Sequence, residues 1–86
     1  QWGLIWKCVD DDSLNDEALS LAQTLATQPT IGLGLIKRAI NESHSNSLDE
    51  QLDLERDLQR VACKTEDYAE GVNAFLGKRK PAFKGR

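Results

Sequence analysis

The chain has 86 residues, 29% of them charged, and a formal net charge of −3. That length allows one small domain with a modest core, or a piece of a larger body. No window is apolar enough to span a membrane and no signal peptide is visible, so the reading is a cytoplasmic protein with no membrane partner.

The charge is unevenly spread. Residues 1–77 carry six basic and fourteen acidic side chains, whereas residues 78–86 hold Lys78, Arg79, Lys80, Lys84 and Arg86 and no acid. An acidic body would repel phosphate, so a nucleic-acid partner is not expected. The tail is marked as a possible anion contact. The chain starts at Gln1 and contains no Met, which leads us to expect a fragment or a processed product. Cys8 and Cys63 are too few and too far apart for a metal cluster; buried, reduced thiols are expected rather than a disulfide.

In chain order, "GLIWKCV" (residues 3–9) reads as one short edge strand, followed by the acid run Asp10–Asp12. It has no partner strand in this chain, so its backbone groups must be satisfied elsewhere. "SLNDEALSLAQTLATQP" predicts a helix with Ser13 as N-cap and Asp16 and Glu17 in the first turn. Leu14, Ala18, Leu21, Ala22 and Leu25 form its apolar face, and Pro29 stops it. "TIGLGLIKRAINES" predicts a second helix, capped by Thr30, with Leu33, Ile36 and Ile40 in a stripe. Gly32 and Gly34 mark either a close backbone approach or a frayed first turn.

After the connector "HSNS", "SLDEQLDLERDLQRVAC" opens with a capping box, Ser47 and Glu50. Leu54, Leu58, Val61 and Ala62 form its face, and Asp53, Arg56 and Asp57 its wet side. "TEDYAEGVNAFLGKRK" predicts the last helix, with Thr65 as cap. Tyr68, Val72, Phe75 and Leu76 share one face, and Pro81 limits how far the helix runs. The expected fold class is mainly α, with one short N-terminal strand and about four amphipathic helices.

No residue set carries catalysis. GLGL at 32–35 lies inside a helical pattern and is no phosphate loop. His44, the single His, sits in a polar connector and reads as a surface residue. Asp10–Asp12 reads as a solvated loop rather than a metal site. No catalytic residue and no metal ligand is assigned. The tail alone has functional promise: its cations can meet phosphate, and Phe75 and Phe83 offer rings for a base or a neighbouring surface; on the residues alone, a solubilising, partly disordered terminus is the favoured reading.

The order of these segments is informative as a whole. "WGLIWKCVDDDSL", "DEALSLAQTLATQPTIGLGLIKRAI", "SLDEQLDLERDLQRVA" and "TEDYAEGVNAFLGKRKPAFKGR" resemble the C-terminal third of a crotonase-family protein, of the enoyl-CoA hydratase/isomerase superfamily. Within it the wording is closest to the branch that acts on a ring epoxide of phenylacetyl-CoA in phenylacetate degradation. The resemblance implies that residues 1–12 end the core region, as a strand and an acidic loop. It makes 13–80 the C-terminal helical domain and 81–86 a basic tail.

It further implies that a larger N-terminal part supplies the oxyanion hole and the catalytic carboxylates. This chain alone would then be inactive. The helical part covers the acyl-CoA site and builds a homo-oligomer, a trimer or hexamer. A coenzyme A thioester is the substrate and no cofactor is required. By register Lys78, three residues after Phe75, corresponds to the lysine that many members send to coenzyme A; Lys78 and Phe75 are therefore the candidate ligand contacts. An aromatic that helps in some members falls near Gln59, which cannot stack. Cys63 and Gly77 replace the Gly and Glu common in relatives, so a looser turn and a softer helix end are expected. The alternative reading is a helical self-association module with no catalytic role.

Overall fold

The computed structural model describes residues 2–86. A 3₁₀ turn (Asp11–Ser13) leads into α1 (Leu14–Ala26), followed by α2 (Thr30–Glu42), α3 (Leu48–Ala62) and α4 (Glu66–Leu76). The mainly helical expectation holds. The strand expected over residues 3–9 does not form; that stretch is bends and irregular backbone. The cause is the one the sequence raised: a strand needs a partner for its N–H and C=O groups, and among the described residues there is none.

Local signals set the helix ends. The capping box of α3 closes in both directions: Glu50 N–H donates to Ser47 Oγ at 3.2 Å and Ser47 N–H to Glu50 Oε1 at 3.0 Å. The Ser47 backbone donor holds the Glu50 carboxyl below its ordinary value. Thr65 caps α4 through its hydroxyl oxygen, which accepts from Tyr68 N–H at 3.1 Å. Two other caps differ from expectation. Ser13 sits at the N-cap of α1 but makes no side-chain bond, because the 3₁₀ turn feeds it in an αR conformation. Thr30 is the first residue of α2 and Pro29 takes the cap position, which suits a residue with no N–H to satisfy.

Cys63 ends α3 with φ −64°, an ordinary conformation. The turn to α4 therefore has no need of glycine there. Both thiols are free, and both are exposed rather than buried. Gly32 and Gly34 lie in a regular helix, and a Cβ at either would meet nothing within 4 Å. Neither a frayed turn nor a close neighbour within the described chain explains them.

α2 and α3 pack together, with Gln51 Nε2 donating to the Ala39 carbonyl at 3.0 Å. Elsewhere the body is open. Its radius of gyration is 16.2 Å, where a compact domain of this length has about 12 Å. It measures 43 × 39 × 20 Å. The accessible surface is 7438 Å², against about 5,100 Å² for a folded monomer of this mass. Leu58 and Ala74 are the only buried apolar residues among those described. The predicted stripe of α4 (Tyr68, Val72, Phe75, Leu76) faces outward, as do Trp2, Trp6 and Ile36. Among the described residues, no helix is long and apolar enough to cross a membrane.

The capping box satisfies two N–H groups that the helix cannot. Ser47→Ala in the full-length protein should therefore cost about 1 kcal/mol of stability, read as a lower urea midpoint at unchanged slope. An unmoved midpoint would show that the box carries nothing.

Candidate functional site

The tail does not trail into solvent. After Gly77 it turns back and runs along α4 toward that helix's N-terminus. Arg79 donates from both terminal guanidinium nitrogens to Glu70, at 2.6 Å to Oε1 and 3.1 Å to Oε2. Ala82 N–H donates to the same Oε1 at 3.0 Å. One turn earlier in the helix, Asp67 accepts from Lys84 N–H at 2.7 Å and Gly85 N–H at 2.8 Å, one on each oxygen. Asp67 N–H in turn donates to the Arg86 carbonyl at 2.8 Å, and Arg86 Nε reaches Glu66 at 2.9 Å.

The sequence dictates this through spacing. Glu66, Asp67 and Glu70 line the side of α4 that the tail follows, because positions three and four apart share a helix face. Asp67 is only 3% exposed, and a buried carboxylate is tolerable only when hydrogen-bonded. The Phe83 ring lies over Gly71, where a Cβ would meet its nearest carbon at 3.6 Å, an ordinary contact. Gly85 adopts φ +76°, and a Cβ on it would meet Thr30 Oγ1 at 2.8 Å. This glycine is required both by the backbone and by the space.

The reversal itself centres on Lys78. Lys78 N–H donates to the Phe75 carbonyl at 3.2 Å and Arg79 N–H to the Ala74 carbonyl at 3.0 Å. These are the two bonds of a Schellman motif, which closes a helix through one left-handed residue, usually glycine. Here that residue is Lys78, with φ 51°. Gly77, its neighbour, keeps φ −80°. The unusual backbone therefore falls on the candidate lysine and not on the glycine.

The cations divide into two sets. Arg79 and Arg86 are paired with carboxylates of α4. Among the described residues, Lys78, Lys80 and Lys84 have no carboxylate within 4.0 Å. The Arg79 hydrogen bonds, helped by the Ala82 amide, pull the Glu70 carboxyl from 4.5 down to about 2. Glu70 thus stays anionic and cancels Arg79, so the net positive charge of the turn rests on the lysines.

Phe75 lies 83% exposed on the outer face of α4. It lines an open apolar groove of about 430 Å³ with Pro29, Gly32, Tyr68, Val72 and Phe83. Phe75 and Lys78 thus belong to one end of α4, the ring on the helix and the ammonium on the turn. Gln59 lies on α3, exposed, with its amide on Cys63 Sγ at 3.5 Å. Sequence reasoning missed Glu70 and Asp67, which organise the tail. The signal was present as acids one turn apart on α4, followed by a cation-rich segment long enough to fold back.

The sequence matches the enoyl-CoA hydratase/isomerase family over residues 1–86, and the chain belongs to that family. It is 62% identical to 1,2-epoxyphenylacetyl-CoA isomerase of Escherichia coli (strain K12), across all of this chain and 33% of that protein. It is 38% identical to 2,3-dehydroadipyl-CoA hydratase of the same organism, across all of this chain and 34% of that protein. Among solved structures, an enoyl-CoA hydratase from Polaromonas sp. JS666 superimposes with a TM-score of 0.87 at 38% identity, over 95% of this chain and 32% of that one. The chain spans about a third of the length of the curated relatives it matches.

A carboxyl whose folded value is depressed stabilises the fold above its unfolded value and loses that contribution as pH falls through the folded one. For Glu70 the window runs from 4.5 down to about 2. Hydrogen-exchange protection of the Ala82 amide in the full-length protein should fall across that window. Glu70→Gln should remove this step. Protection that is flat across the window in the unaltered protein would contradict the assignment.

Proposed function

We propose that this chain is the C-terminal helical part of an acyl-CoA hydratase or isomerase, and that its parent carries out the ring-epoxide isomerisation of phenylacetyl-CoA. The observation that carries the reading is the 62% identity with an enzyme of that name over the whole segment. The site geometry supports it: the three tail lysines without acid partners offer positive charge to a polyanionic carrier, and Phe75 offers an adjoining ring. In this reading the parent needs no resident cofactor, and the coenzyme A thioester is its substrate. The segment covers the acyl-CoA site while the N-terminal part supplies the chemistry. The 86 residues alone are inactive.

Lys78 is the principal contact. It is remote from the reacting carbonyl, so it contributes binding to substrate and transition state alike. In the full-length enzyme Lys78→Ala should raise KM for acyl-CoA about five- to tenfold while kcat stays within a factor of two, as for loss of one charge-assisted contact. Unchanged kinetics at low salt would reject the contact.

A second role is favoured by the open surface. The excess of about 2,300 Å² over a compact monomer is the scale of an obligate interface. We assign the outward faces of α2, α3 and α4 to contacts with the rest of the parent and with further copies of it. Sedimentation of the isolated segment should show self-association that rises with concentration. A strict monomer at high concentration would count against this role.

A further inference from the structure

We infer that Glu70 is a positioning residue for Lys78: by holding the Arg79 fork and the Ala82 amide, it fixes the left-handed turn from which Lys78 meets the anionic carrier. The inference rests on the reading of Lys78 given above. It starts from a conformational cost. A residue with a side chain is disfavoured in the left-handed region because its Cβ crowds the following carbonyl oxygen, and Lys has no short polar group to offset this locally. The adjacent Gly77 could take such a conformation freely but does not. The two backbone bonds of the turn are those that any such motif supplies. Something outside the turn must hold Lys78 there.

Glu70 is placed to do so. Arg79 follows Lys78 directly and is pinned at both guanidinium nitrogens, while Ala82 is pinned to the same carboxylate. One side chain therefore anchors the segment that leaves the turn at two points, with Lys80 between them. Arg79 also donates to the Lys80 carbonyl at 3.3 Å, which stiffens the stretch between the anchors. A two-pronged Arg–carboxylate pair fixes orientation as well as distance, which a single ammonium contact would not.

Two opposed effects make the role testable by sign. If Glu70 acted only through its charge, Glu70→Gln would release the Arg79 cation, add positive charge near the phosphates and lower KM. If Glu70 positions Lys78, the same change loosens the turn and raises KM. The experiment is steady-state kinetics of the full-length enzyme with its acyl-CoA substrate, comparing Glu70→Gln, Lys78→Ala and the double variant. The expected result is a KM raised about threefold or more by Glu70→Gln at unchanged kcat, with the double variant no worse than Lys78→Ala. An acyl-pantetheine thioester, which lacks the nucleotide phosphates, should be turned over equally by the unaltered enzyme and Glu70→Gln.

Arg79→Lys, which keeps the charge and loses the fork, should reproduce the KM effect and serves if Glu70→Gln does not fold. A normal effect of Lys78→Ala beside an unchanged or lowered KM for Glu70→Gln overturns the positioning role alone. So does a multiplicative double variant, or an equal loss on the pantetheine thioester. A silent Lys78→Ala overturns the carrier contact and this inference with it.

Discussion

The described tail geometry depends on two carboxylates of α4 and the backbone N–H groups they capture. Asp67 is nearly inaccessible, so its charge is out of bulk water and has to be met by donors. Lys84 and Gly85 supply two, one to each oxygen. Glu70, a turn along, takes Ala82 and the Arg79 fork. No buried side-chain nitrogen or oxygen among the described residues is left without a partner. These bonds set the direction of the tail, and that direction requires the abrupt reversal at Lys78. The positive turn and the acid-lined helix are thus one construction, and the contrast between acidic body and basic tail is partly an internal neutralisation.

The same construction explains how a segment with so little core holds a defined end. Apart from the contact between α2 and α3, the apolar stripes of the helices are not turned toward one another. Where a small domain would bury them, this slab leaves them outward and buries Leu58, Ala74 and the Asp67 carboxylate instead. Polar capture is directional and local, so it can order the tail against α4 without a large apolar core beneath. The exposed Arg86–Glu66 pair adds little to this, since such pairs are screened by water and salt.

What was legible in the sequence follows from the range of each signal. The capping box at Ser47 and the Thr65 cap involve residues three apart and were read correctly, and helix existence followed from the apolar spacing. The strand at residues 3–9 was misread because β-propensity describes fit to a sheet, and no sheet is present among the described residues. The stripe Tyr68, Val72, Phe75 and Leu76 was recognised as a face, but periodicity cannot say whether a face meets its own chain. Lys78 and Phe75 came from the family register, which gave their place in the chain but not the backbone of the turn. The tail's fold-back rests on contacts up to 20 residues apart, which neither propensity nor period reports.

The division between arginines and lysines has a physical basis. A guanidinium is a flat fork that matches a carboxylate at two points, and it suits a fixed internal joint. An ammonium is a compact, mobile charge that suits a partner arriving from solution. The tail divides them on that line: Arg79 and Arg86 pair with carboxylates of α4, and Lys78, Lys80 and Lys84 have no carboxylate within 4.0 Å among the described residues. Relatives that share this segment bear the names of an isomerase and of a hydratase. Those two names have an acyl-CoA in common and differ in the reaction. In the reading proposed above, this segment contributes uniform binding through a pre-set turn, and a term common to substrate and transition state leaves the choice of reaction to residues outside it.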